Sequence, residues 1–348
     1  MIPTVEWKDP DTVRLVDQTK LPYELIYLEL RNYRDVAKCI RDMNVRGAPA
    51  IGVTAAMGLA CASIEFQNLS SDEYWKKMEQ AAAEIRSTRP TAVNLFWAID
   101  RIMKKAKNIG KKVNDPKEIT KELISEAKLM AKEDIDTNKS IGMHGAKLIN
   151  DGDVILTHCN AGSFATVMYG TALAPIYWAV FNEKKKVSVI ADETRPWLQG
   201  ARITAFELNY NKIPVKIECD NTAALMMRMG KINKVIVGAD RIVKDAVFNK
   251  IGTYMLAISA HYHKIPFYVA APTSTLSLNE TEKDVIIEQR DGWFEVAEIM
   301  GRLKDNPIAP KGVECINYAF DATPMELVSG IITQDGLFTP KGLIKKYK

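Results

Sequence analysis

After Asn150 the chain carries five short apolar runs, each ending in small or polar residues, with helical patterns between them. The runs are Val154–Cys159, Val187–Asp192, Val215–Asp220, Val235–Asp240 and Phe267–Pro272. Strands that are apolar throughout and alternate with helices belong to a parallel sheet covered on both faces. Before Asn150 the pattern is different. Leu25–Met43, Pro49–Phe66, Ser71–Arg86, Asn94–Ile109 and Pro116–Ile149 carry apolar residues at three-to-four spacing with charged outer faces. Pro49 sits just inside a helix start, where its missing N–H costs nothing. The sequence therefore predicts an α/β chain. A smaller, mainly helical N-terminal domain covers 1–140 and a charged connector helix runs to about 150. A doubly wound, Rossmann-like parallel-sheet domain covers 151–348. A length of 348 residues fits two such domains.

Composition excludes several function classes. Lys and Arg total 47 against 43 Asp and Glu, a formal charge of +4. Nucleic acid would call for a concentrated basic stripe, so it is not an expected partner. The longest basic run, Lys184–Lys186, reads as a solvated loop. Cysteines stand at 39, 61, 159, 219 and 315, with no C-x-x-C spacing. That pattern, and a segment Met1–Lys8 without a signal-peptide apolar region, predicts a reduced, cytoplasmic protein. Two uncharged stretches, Gly47–Ile64 and Ile155–Asn182, are long enough to span a bilayer. Both are broken by Gly and Pro and diluted with Ala, Ser and Thr, so they are expected to be buried interior, and no membrane partner is expected.

In open parallel sheets, ligands bind beyond the carboxyl ends of the strands. Here those ends are Cys159-Asn160-Ala161-Gly162, Asp192-Glu193-Thr194-Arg195, Asp220-Asn221, Gly238-Ala239-Asp240-Arg241 and Pro272-Thr273-Ser274. Cys159 opens a small-residue turn expected to lead into a helix, whose N-terminus would favour a thiolate. A buried, inert cysteine is the alternative. His158 points to the opposite face of an extended strand and reads as a hydrogen-bonded core histidine. Asp240, expected to be partly buried after its apolar run, could serve as a proton donor. A turn or cap aspartate is the other reading, and Asp192, Asp220 and Asp245 compete for the role. Arg46–Gly52 feeds a helix whose free N–H groups could hold a phosphate, with Arg46 adding charge. It is neither a Walker A loop nor G-x-G-x-x-G, so a nucleotide is not indicated. Arg89, Asn249 and Lys250 are further candidate anion ligands. His261 and His263 diverge on one helix, and nothing else suggests a metal.

Several long strings carry a family resemblance: Arg14–Pro22 (RLVDQTKLP), Val45–Val53 (VRGAPAIGV), Thr157–Gly162 (THCNAG), Asp192–Arg202 (DETRPWLQGAR), Gly238–Ile242 (GADRI) and Asn249–Tyr254 (NKIGTY). Along essentially its whole length the chain resembles the family of methylthioribose-1-phosphate isomerase. Ribose-1,5-bisphosphate isomerase and the alpha, beta and delta subunits of translation initiation factor 2B share that family. The early Asp-Gln-Thr string, with the Cys and Asp both in place, favours the methylthioribose branch. The resemblance implies an aldose–ketose isomerase converting 5-methylthioribose 1-phosphate to 5-methylthioribulose 1-phosphate in methionine salvage. It places Cys159 on the family's catalytic cysteine and Asp240 on its catalytic acid. Arg46, Gly47, Ala48, Arg89, Gln199, Asn249 and Lys250 fall on its substrate contacts. It also implies a homodimer and no cofactor. Two alternatives stay open. One is an isomerase of another pentose 1-phosphate, either ribose 1,5-bisphosphate or 5-deoxyribose 1-phosphate. The other is a non-catalytic regulatory subunit.

Overall fold

A computed structural model of the chain describes residues 1–90 and 92–347. Its contacts divide the chain into two compact units, Met1–Asn138 with Ser163–Gly170, and Lys139–Gly162 with Thr171–Lys348.

The first unit opens with three antiparallel strands, β1 (Val5–Lys8), β2 (Thr12–Val16) and β3 (Tyr27–Leu30). Four helices follow, α1 (Tyr33–Arg41), α2 (Ala48–Phe66), α3 (Ser71–Ser87) and α4 (Val93–Gly110), and then the long α5 (Pro116–Ala146) begins. The single helix expected over Leu25–Met43 is a strand followed by a helix. The break has a local cause: Asn32 caps α1, its Oδ1 accepting the Asp35 N–H at 2.9 Å. Ahead of that cap, Tyr27–Leu30 pairs with β2 in register Leu30↔Val13 and Tyr27↔Val16.

Helix α2 is apolar on every side and is long and apolar enough to cross a membrane, yet it is the core helix of this unit. A helix apolar all round must be buried, and α1, α3 and α4 pack around it. Its N-cap is Gly47. A Cβ there would lie 2.1 Å from the Ala165 Cα, so only glycine lets the Ser163–Gly170 segment lie against the start of α2.

The second unit holds β4 (Val154–Thr157), α6 (Ala174–Phe181), β5 (Ser188–Asp192), α7 (Ala205–Tyr210), β6 (Val215–Glu218), α8 (Ala223–Arg228) and β7 (Lys234–Val237). It continues through β8 (Arg241–Val243), β9 (Ala246–Lys250), α9 (Thr253–Tyr262), β10 (Phe267–Ala270) and β11 (Leu276–Ser277). It ends with β12 (Phe320–Pro324), β13 (Gly330–Thr333), β14 (Gly336–Phe338) and α10 (Pro340–Tyr347). Each of the five apolar runs contains one strand of a seven-stranded sheet ordered β14-β13-β10-β7-β4-β5-β6. All neighbours in it are parallel except the β13–β14 edge pair. Numbered along the chain, the six parallel strands lie in the order 3-2-1-4-5-6, that of dinucleotide-binding domains. Leu156, Val235, Ile236, Val237 and Val269 are fully enclosed, each contributing about 1.5–3 kcal/mol over an exposed side chain. The uncharged stretch Ile155–Asn182 thus resolves into strand β4, a connecting loop and helix α6. A smaller sheet is ordered β11-β8-β9-β12, and its strands β8 and β9 follow β7 directly in the chain.

Candidate active site

In the order 3-2-1-4-5-6 the direction of winding reverses between the first and fourth strands, and ligands bind at that switch. These strands are β4 and β7, which pair directly through Ile155↔Lys234 and Leu156↔Val235. Cys159 follows β4 and Asp240 follows β7. The chain therefore sets its candidate nucleophile and candidate acid on adjacent strand ends, 81 residues apart in sequence (240 − 159).

Cys159 is buried and its backbone is held from both sides. Its N–H donates to the Thr194 Oγ1 at 2.8 Å, and its carbonyl accepts from the Thr204 Oγ1 at 2.6 Å. Its φ of 61° lies in the left-handed region, so the chain turns sharply as it leaves the sheet. The helix expected to start there does not. A single tight turn forms at Ser163–Ala165 and α6 begins only at Ala174. The Ala161 carbonyl accepts the Thr171 and Ala172 N–H groups, from just ahead of α6, instead of starting a helix of its own.

Asp240 is exposed, where partial burial was expected. After Val237 the backbone leaves the large sheet, and the β8–β9 hairpin lifts Asp240 onto its rim. The Asp240 N–H donates to the Phe248 carbonyl at 2.9 Å. The competing carboxylates are otherwise engaged. Asp192 is fully enclosed against His158. Asp220 accepts the Thr194 and Arg195 N–H groups, both at 2.7 Å. Asp245 accepts the Glu282 N–H at 2.8 Å.

Asn249 and Lys250 end β9 and are both buried. The Asn249 Nδ2 donates to the Thr253 Oγ1 at 3.1 Å. The Lys250 Nζ donates to the Ala319 carbonyl at 2.7 Å and lies 4.5 Å from the Phe320 ring centroid. Burial, then the neighbouring Arg290 guanidinium, hold the Lys250 ammonium below the usual lysine range, while Cys159, Asp240 and Glu295 pull the other way. Lys250 thus senses the charge of both Cys159 and Asp240. Gln199 is buried beside the Gly200–Thr204 turn, and its Oε1 has no partner among the described residues.

Arg46, Gly47, Ala48 and Arg89 belong to the first unit. Arg46 and Gly47 precede α2, Ala48 is its first residue, and the Arg89 Nη1 contacts the Met43 Sδ at 2.8 Å just upstream. The structure also brings in residues that sequence reasoning passed over. Arg290 pairs with Glu288 at 3.0 Å and lies 5.6 Å from the Phe320 ring centroid. Glu295 is buried and accepts from the Asn317 Nδ2 at 2.7 Å. Arg290 and Asn317 lie outside regular elements and Glu295 sits in the short turn Trp293–Ala297, so there is no periodicity to read. His158 is a buried, doubly hydrogen-bonded histidine as expected, with Nδ1 2.8 Å from the Asp192 Oδ2 and Nε2 2.8 Å from the Ile251 carbonyl.

A sequence model of the Initiation factor 2 subunit family matches residues 44–340. A methylthioribose-1-phosphate isomerase of Thermosipho africanus is 50% identical, covering 97% of this chain and 95% of its own. The solved 5-methylthioribose 1-phosphate isomerase of Pyrococcus horikoshii superposes with a TM-score of 0.90 at 39% identity, covering 99% and 95% of the two chains. A structure described as translation initiation factor eIF-2B, subunit delta, from A. fulgidus superposes with a TM-score of 0.89 at 42% identity over 100% of both.

Proposed function

The chain belongs to the Initiation factor 2 subunit family, and we propose that it converts 5-methylthioribose 1-phosphate to 5-methylthioribulose 1-phosphate in methionine salvage, as its isomerase relatives' names indicate. It is an aldose–ketose isomerase. The observation that carries the residue roles is the switch point: Cys159 and Asp240 follow the paired strands β4 and β7, and Lys250 ends β9, close enough for both to raise its pKa. A non-catalytic subunit has no need of that arrangement.

A phosphate on the anomeric oxygen blocks ring opening to a free aldehyde. The ring must open by breaking the bond between C1 and the ring oxygen. Asp240 donates a proton to that oxygen, which keeps the bond's electron pair, and C1 is left as an oxocarbenium ion. Hydrogen then leaves C2. By one route the Cys159 thiolate takes it as a proton, giving an enol phosphate whose C1 is reprotonated. By the other it moves directly to C1 as hydride. In either case the C2 hydroxyl gives up its proton as it becomes the ketone, and the Asp240 carboxylate can accept it. Lys250 and Asn249, with Gln199, Arg46, Gly47, Ala48 and Arg89, are assigned to substrate binding, which converts phosphate affinity into orientation.

We assign the chain to the cytoplasm, as a homodimer. Light scattering at micromolar concentration tests the dimer, and a 39.0 kDa species would refute it. The function is tested by incubating the protein with 5-methylthioribose 1-phosphate, 5-deoxyribose 1-phosphate and ribose 1,5-bisphosphate, with proton NMR following the ketose. Ketose from the first substrate at the highest kcat/KM is expected. No ketose from any of them would overturn the reading.

A further inference from the structure

Across β4, β5 and β6 the register sets Thr157 opposite Ala191 and Asp192 opposite Glu218. His158, one residue on from Thr157, therefore falls in the same row as Asp192 and Glu218. The His158–Asp192 pair is enclosed, with side-chain exposures of 1% and 0%. A carbonyl can only accept, so the His158 Nε2 carries a hydrogen toward Ile251. Its Nδ1 stands 2.8 Å from the Asp192 Oδ2. Two lone pairs would repel at that distance, so a proton sits between them. The Asp192 Oδ1 and both Glu218 carboxyl oxygens are buried without a hydrogen-bond partner among the described residues. Burial, then the neighbouring Asp192, push the Glu218 carboxyl up to about 7. The charged groups facing His158 are Asp192, Asp220 from beyond β6, and Asp321 from β12. Burial alone would strip the imidazole of its proton, but this acidic surround outweighs it and raises the His158 pKa. The ligating atoms of His158, Asp192 and Asp220 lie within 4.8 Å of one another. With both ring nitrogens committed to hydrogen bonds, none is left to hold a metal.

The row has a mechanical consequence. Ile251 follows Asn249-Lys250 directly, and Gly252, at φ 104°, comes so close that a Cβ there would lie 2.8 Å from the His158 Cε1. One ring thus bridges the ends of β4, β5 and β9. We propose that His158 is a positioning residue: its proton-bridged contact with Asp192 and its bond to the Ile251 carbonyl fix the end of β4, and with it Cys159, relative to Lys250. Its effect on turnover rests on the isomerase reading above. Its protonation does not.

The test uses the full-length protein with nitrogen-labelled histidine. The chain has four histidines, and His158→Gln identifies the signal of interest. The His158 ring should hold both of its protons to a pH above the ordinary histidine pKa of about 6.5. A ring that turns neutral at or below that value overturns the proposal, whether or not the protein turns over any sugar phosphate. His158→Gln should lower kcat per folded molecule about a hundredfold, the scale of a misplacement of about 1 Å, with KM nearly unchanged. Wild-type kcat per folded molecule in His158→Gln refutes His158 as a positioning residue.

Discussion

Replacing Thr194 by Val removes one hydroxyl from the wall behind Cys159 and alters little else. Thr194 is fully enclosed. Its Oγ1 accepts the Cys159 N–H at 2.8 Å and donates to the Asp192 carbonyl at 3.1 Å. Its φ of 64° is costly for a β-branched residue, but Val carries the same branching, so that strain is common to both proteins. Leaving the Cys159 N–H buried without its acceptor costs about 1–3 kcal/mol, and the hydroxyl's own bond adds about 1 kcal/mol. Thr194→Val should therefore unfold at a visibly lower denaturant concentration. Because the lost bond anchors Cys159 itself, kcat should fall about tenfold to a hundredfold while KM changes little. Thr194→Ser keeps the oxygen and should restore most of both. The measurements are a denaturant midpoint and a steady-state rate on each variant. A Thr194→Val protein with the wild-type midpoint and turnover would refute the argument that this hydroxyl holds the cysteine.

Cys159→Ser should fold normally and lose orders of magnitude in rate, since a hydroxyl is a far poorer base and nucleophile than a thiolate; near-normal turnover would make Cys159 a structural residue. Asp240→Asn should still bind substrate, measured by calorimetry, while turning over at least about a hundredfold more slowly. In the first unit, the Asp134 Oδ2 accepts the Val167 N–H at 2.7 Å, and burial pushes the carboxyl pKa up to about 7. An unfolded Asp releases its proton near 3.9. Between those values the native state binds more protons, so this group's contribution makes stability fall as pH rises. Asp134→Asn keeps an acceptor for Val167, should flatten that dependence, and should melt above the wild type at about pH 8 but not at about pH 4; parallel melting curves at the two values would exclude it.

The rim of the site was legible because burial on both faces of a parallel sheet writes long apolar runs, and the polar residue ending each run marks a strand's carboxyl end. Cys159, Asp192, Asp220 and Asp240 were all found that way. The exposure of Asp240 was not, because it depends on β8 and β9 lifting the chain off the sheet, and a three-residue strand such as Arg241–Val243 has no period to detect. Arg290 and Glu295 act on Lys250 from a stretch whose course is set by pairings such as Gln289↔Tyr318, which local patterning cannot announce. The strand Tyr27–Leu30 was absorbed into a helix because its Glu29 and neighbouring charges mimic an amphipathic helical start until Asn32 caps the real one.

The direct pairing of β4 with β7 also shapes how the chain is made. These strands meet across 79 residues of sequence, and a ribosome supplies those residues in about 4–16 s at about 5–20 residues per second. Once residue 192 has emerged β4 can pair with β5, but until β7 follows it shows an unsatisfied edge on its other side, with Cys159 at its tip. Such an edge is a template for pairing with another chain, and a thiol beside it is open to oxidants. The chain is therefore most vulnerable to aggregation and to thiol damage while nascent, between the emergence of residue 157 and that of residue 237. An oxidant pulse during translation should mark Cys159 more heavily than the same pulse applied to the finished protein.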